Sequence, residues 1–179
     1  MRRFVIVFST IAILVAVPMI ISAAGQDGAV VKVAVHEGSS ATTSLPEEVD
    51  FGRAKSVFQK TCSQCHSLKR PLGKKKKRAG WEKTVNRMNK NSMKRFGKGI
   101  PPLDRAEIVN YLTAKNTFEA TCAKCHALSR SLDKTKDRAE WERTITRMSK
   151  NDKARFGKPI PDDVQATIIG YLLENAGKK

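Results

Sequence analysis

Apolar and polar residues follow different rhythms in successive parts of the chain. From Phe4 to Ile21 there is no rhythm: the residues are almost continuously apolar, interrupted by Ser9, Thr10 and Pro18. Arg2 and Arg3 precede this run and Ser22-Ala23-Ala24 follow it, with small residues at the minus-three and minus-one positions for a cut after Ala24. That is the layout of an export leader, residues 1–24. A retained anchor competes with it, because the run is just long enough to span a bilayer. Pro18 and the small residues at the cut favour cleavage. The mature chain is then expected to be exported to the periplasm, with no stable membrane insertion. Residues 25–50 show no usable period and are rich in Gly, Ser, Thr and Ala. They read as a flexible N-terminal arm.

From residue 51 the apolar positions return at helical spacing. Phe51 to Thr61 predicts a first helix. Trp81, Val85 and Met88 stand at i, i+4 and i+7, one face of a helix over Arg78 to Lys90. Asp104 opens a third, with Ile108, Tyr111 and Leu112 as its stripe. No Pro or Gly interrupts Asp104 to Thr121. Strand signals are almost absent, so the expected class is all-α.

The same pattern then recurs. Shifting the chain by 60 residues lays Phe58 on Phe118, Trp81-Glu82 on Trp141-Glu142, Arg87-Met88 on Arg147-Met148, and Tyr111-Leu112 on Tyr171-Leu172. No gap is needed, and about half the positions from Phe58 to Leu112 are identical. A fixed period without insertions indicates a duplicated structural unit. The expected units are 51–114 and 115–179, close together on a shared continuous helix.

Within the repeat, TCSQCHSL at residues 61–68 meets TCAKCHAL at 121–128. Two disulfides or a four-thiolate zinc site would each use Cys62, Cys65, Cys122 and Cys125. Either leaves His66 and His126 idle. A thioredoxin-like pair would want a βαβ setting, which is missing. Cys-x-x-Cys-His is the attachment signature of c-type haem, and here every letter has a task. The thiols add across the haem vinyl groups as thioethers, and the adjacent His is held beneath the iron. Export agrees with this, since haem is attached outside the bacterial cytoplasm.

On these residues, the segment from 51 to about 176 resembles a dihaem c-type cytochrome made of two tandem cytochrome c units. The W-E-x-T-x-x-R-M segments are more weakly similar to the dihaem domain of quinohaemoprotein amine dehydrogenases. The resemblance implies two haem c groups held through Cys62, Cys65, Cys122 and Cys125, with His66 and His126 as iron ligands. Sixth ligands are few. His36 lies outside the repeat, and beyond the leader the methionines are Met88, Met93 and Met148. Met93 falls on Lys153, so equal ligation selects Met88 and Met148, each 22 residues after its His. Typical single-haem cytochromes c place this Met farther along. Core filler is the competing role for a helical Met. Trp81 and Trp141 are candidates to pack on the haem edge with the indole N–H toward a propionate, against plain core roles. Arg87 and Arg147 are candidates to pair with propionates, against simple solvated charges.

Charge adds the last expectation. The formal net charge is +17, and residues 51–112 carry 17 Lys and Arg against 3 acids, including the run GKKKKRAG. Residues 113–179 carry 14 against 9. So basic a unit should attract acidic redox partners. Export and haem argue against nucleic acid. The expected function is electron transfer with no catalysis. The rivals are a haem-bearing dehydrogenase subunit, and a small dihaem peroxidase or sensor with an open iron site.

Overall fold

The structure, a computed structural model, describes residues 49–178. The expected leader, most of the expected N-terminal arm and His36 lie outside these described residues. The described part belongs to one compact unit and is all-helical. Seven helices follow in order: α1 (Phe51–Cys62), α2 (Lys69–Leu72), α3 (Arg78–Phe96), α4 (Pro102–Cys122), α5 (Ser129–Leu132), α6 (Arg138–Phe156) and α7 (Asp162–Asn175). The starts of α5, α6 and α7 repeat those of α2, α3 and α4 at a spacing of 60 residues. Among the described residues, no helix is long and apolar enough to cross a membrane.

Local chemistry sets the boundaries. Asp50 caps α1, its Oδ1 accepting from Arg53 N at 2.9 Å. The second helix of the pattern, α3, runs six residues past the expected Lys90. Nothing breaks it until Gly97, whose φ of 68° closes the helix in the left-handed conformation that favours glycine. Gly157 does the same for α6 at φ 77°. The third helix starts at Pro102 rather than Asp104, because proline is well suited to a first helical position, where its missing N–H costs nothing. The stretch after each His, for which the apolar spacing predicts no helix, contains the short helices α2 and α5.

The core gathers around α4. It packs on α1, α3 and α7, and α6 packs on α7. Ile108, Tyr111, Leu112, Ala114 and Phe118 of α4 are buried together with Phe58, Trp81 and Val85 from one side and Trp141, Ile145, Ile168 and Tyr171 from the other. The expected boundary at 114/115 lies inside α4, which passes through it unbroken. Four rings make a continuous chain: Phe58 stacks on Tyr111 at 5.1 Å between centroids, Tyr111 leans on Tyr171 at 5.9 Å, and Tyr171 stacks on Phe118 at 5.3 Å. Burial raises the phenol pKa of both tyrosines. Tyr111 Oη donates to Asn175 Oδ1 at 3.1 Å, so that phenol is neutral and hydrogen-bonded.

The two halves are not used identically. Asn110 accepts from Arg78 Nη1 at 2.8 Å. Its counterpart sixty residues on is Gly170, and there the Phe51 ring occupies the place a side chain would take. Lys55 Nζ donates to the Glu174 carbonyl at 2.8 Å, which ties α1 to the end of α7. A methyl at position 170 must displace the Phe51 ring, so Gly170→Ala is expected to destabilise the haem-loaded protein by about 1–3 kcal/mol. Denaturant unfolding checks this, with Phe51→Leu in the same chain recovering part of the loss.

Candidate haem-binding site

Each cysteine pair sits where a helix runs out. Cys62 is the last residue of α1 and Cys122 the last of α4. Each lies one turn beyond a buried phenylalanine, Phe58 or Phe118, so the inner thiol is fixed to the aromatic chain by helix geometry. Cys65 and Cys125 stand exposed in the following turn, and all four cysteines are free thiols. Burial pushes the Cys62 thiol up to about 11, with the nearby Cys65 adding to the shift. Cys122 is also pushed up to about 11, by burial and then Cys125, with Lys124 opposing. Among the described residues no three His, Cys, Asp or Glu side chains gather closely enough to hold a metal ion, which argues against a four-thiolate zinc site.

Both histidines have one ring nitrogen committed. His66 Nδ1 lies 3.2 Å from the Ser67 carbonyl, and His126 Nδ1 lies 3.0 Å from the Ala127 carbonyl. A carbonyl only accepts, so Nδ1 carries the proton in each ring. The Nε2 lone pair is thereby left for a metal. Both side chains are half-buried.

Trp81 and Trp141 are each 2 % exposed on the inner faces of α3 and α6. Their Nε1 atoms are buried donors without an acceptor. A buried N–H without a partner is costly, about 1–3 kcal/mol. The same defect at both repeat positions calls for a shared acceptor that the polypeptide does not supply. A haem propionate is such an acceptor, so these residues fit the cofactor that the cysteine signature implies.

One feature of the site was missed in the sequence. Lys76 Nζ lies 5.2 Å from the Trp81 ring centroid and donates to Thr84 Oγ1 at 2.6 Å. Lys136 Nζ lies 5.0 Å from the Trp141 ring and donates to Thr144 Oγ1 at 2.6 Å. Each indole therefore carries an ammonium over its face, held by a threonine of the same helix. The signal was present: within the Lys run, Lys76 recurs as Lys136. Asn116 Nδ2 donates to the Lys76 carbonyl at 2.9 Å and anchors that loop on α4.

Met88 and Met148 are half-buried, on the same helical faces as Trp81 with Val85 and Trp141 with Ile145. The turn after each of these helices is tied back to it: Ile100 N donates to Asn89 Oδ1 at 2.7 Å, and Ile160 N to Ser149 Oγ at 3.0 Å. Arg87 and Arg147 are exposed on the outer faces, with Arg147 lining a shallow surface depression beside Arg143 and Lys150. The structure does not bring either arginine to its tryptophan.

Residues 50–112 match the family described as cytochrome C oxidase, cbb3-type, subunit III. The match covers the first unit and supports a c-type cytochrome, with covalently attached haem c and haem-based electron transfer. No curated protein and no solved structure matches the chain.

In the haem-loaded protein, Trp81→Phe and Trp141→Phe keep the ring and remove the donor. Each is expected to lower stability by about 1.5–3 kcal/mol, the scale of a hydrogen bond to a charged group. Chemical denaturation reads this directly. Unchanged or increased stability would mean that the indole N–H has no acceptor even in the loaded protein.

Proposed function

We propose that the chain is a periplasmic dihaem c-type cytochrome that passes electrons between redox partners through two His/Met-ligated haems. The observation that carries this reading is the twofold presentation of one set: free Cys-x-x-Cys, a His with Nδ1 fixed, and a buried Trp with an unanswered N–H. Haem supplies reversible one-electron chemistry, and the protein supplies ligands, charge and position.

The chain's own residues divide the work as follows. Cys62 with Cys65, and Cys122 with Cys125, hold the group covalently at the ends of α1 and α4. His66 and His126 offer Nε2 to iron, and Met88 and Met148 offer thioether sulfur. His/Met ligation gives a higher potential than two histidines. It also leaves no open position for substrate, so the reading is a carrier and not an enzyme. The cationic first unit favours the reduced state of its own haem and attracts an acidic partner.

An optical spectrum of the oxidised protein tests the ligands through the weak long-wavelength band of methionine sulfur on iron(III). Met88→Ala and Met148→Ala are each expected to remove about half of that band, as equal ligation of both irons requires. Absence of the band in the parent, or ready carbon monoxide binding by the reduced protein, would favour the peroxidase or sensor reading. A single haem per chain in a pyridine haemochrome assay would overturn the dihaem assignment. Redox titration is expected to resolve two potentials, the higher belonging to the first unit.

A further inference from the structure

The duplication provides an internal comparison. A position kept in both halves serves what both halves do, and a position that differs serves what one of them does. Phe96 and Phe156 are 41 % and 50 % exposed at the matching ends of α3 and α6, so their exposure belongs to the shared unit. Met93 and Leu103 are different. They are 52 % and 56 % exposed, yet sixty residues on their places are taken by Lys153 and Asp163. Both flank the turn between α3 and α4, and Met93 Sδ lies only 3.2 Å from where a Cβ on Gly99 would stand.

Charge of one sign covers the same stretch. Between Glu82 and Asp104 the chain carries Lys83, Arg87, Lys90, Lys94, Arg95 and Lys98 and no acid. All six are exposed, and among the described residues none takes part in an ion pair. The matching stretch of the second half also holds six cations, but Asp152, Asp162 and Asp163 lie among them. Asp152 faces Lys124 at 3.9 Å.

We propose that the end of α3, the following turn and the start of α4 form the docking surface for an acidic redox protein. Met93, Phe96 and Leu103 are its apolar centre, and Lys90, Lys94, Arg95 and Lys98, the cations nearest that end of α3, are its rim. The inference rests on the electron-carrier reading and locates the partner on one half of the molecule. Charge on the rim steers an acidic partner over long distances, and a small apolar centre holds it briefly once water is expelled. Weak electron-transfer encounters of this kind bury less than about 1,200 Å². A second copy of this chain is a poor occupant, because its own surface is basic. An anionic membrane is also a poor one: the apolar face of α3, with Trp81 and Val85, is turned into the core, which leaves no continuous face to lie among headgroups.

The repeat supplies the variant. Met93→Lys combined with Leu103→Asp gives the first half the second half's own residues and leaves the net charge unchanged. The reduced full-length haem protein is oxidised in a stopped-flow instrument by an acidic blue-copper protein at low salt. One electron passes to copper(II), giving copper(I) and the oxidised cytochrome. Hexacyanoferrate(III), which needs no docking surface, is the parallel oxidant. The swap is expected to slow the copper reaction about tenfold, the scale of losing a central interface contact, with the hexacyanoferrate rate essentially unchanged. Lys94→Gln with Lys98→Gln is expected to slow the copper reaction at low salt and to converge with the parent at high salt.

An unchanged copper rate in the Met93/Leu103 swap overturns the docking surface. So does a swap that abolishes binding to phosphatidylglycerol vesicles and leaves the copper rate alone, since that assigns the patch to lipid. Loss of the methionine–iron band in the swap overturns it too, by placing Met93 on iron. If the parent reduces neither oxidant, the electron-carrier reading itself has failed.

Discussion

The packing of one helix against two partners governs the rest of this structure. α4 offers Tyr111 to the Phe58 ring of α1 and, two turns later, Phe118 to the Tyr171 ring of α7. Ala114, fully buried between them, keeps that face narrow enough for α1 and α7 both to approach. Tyr111 and Tyr171 then meet, so the two halves share one aromatic core. A unit of about 60 residues buries little apolar area alone. Sharing a helix lets each half complete its core with the other's residues.

This packing also fixes where the two cysteine pairs stand. Cys62 and Cys122 each follow a buried phenylalanine by one helical turn. Their relative position is therefore set by the same ring contacts that hold the fold, and one half cannot turn without breaking them. The short hydrogen bonds around each tryptophan extend that rigidity outward. A loop lysine sits on the indole and on a threonine of α3 or α6, and the turn beyond is tied to Asn89 or Ser149. Among the described residues, the unanswered buried group that recurs at matching positions of both halves is the indole N–H. A buried polar atom without a partner is rare in a finished protein. Its recurrence at 60-residue spacing points to the same completing group in both halves.

Where the halves differ, the difference has a physical role. Asn110 bonds Arg78, whereas Gly170 makes room for Phe51. Lys77 and Gly80 leave the start of α3 without a side-chain cap, whereas Asp137 and Glu140 form a reciprocal cap on α6. Asn110 ties α4 to α3 within the first half, and Gly170 admits a ring of the first half and so builds the contact between the two. The difference in capping gives the less basic half more negative charge at a helix N-terminus, where the dipole favours it.

The sequence alone determined the helical class, the period of 60, the shared helix and the cysteine–histidine sets. Each depends on residues near one another in the chain, through helix periodicity or motif spacing. It also held the candidate methionines and tryptophans, because the repeat marks them twice. Boundaries were less legible: α3 outran its apolar stripe, since a helix continues until something such as Gly97 stops it. The cationic seats of Lys76 and Lys136, the contact of Phe51 with Gly170, and the outward placement of Arg87 and Arg147 were decided only by the tertiary structure. Those features depend on which helix face meets which neighbour. Packing of α1, α3 and α7 on one central helix sets that, and no local pattern encodes it.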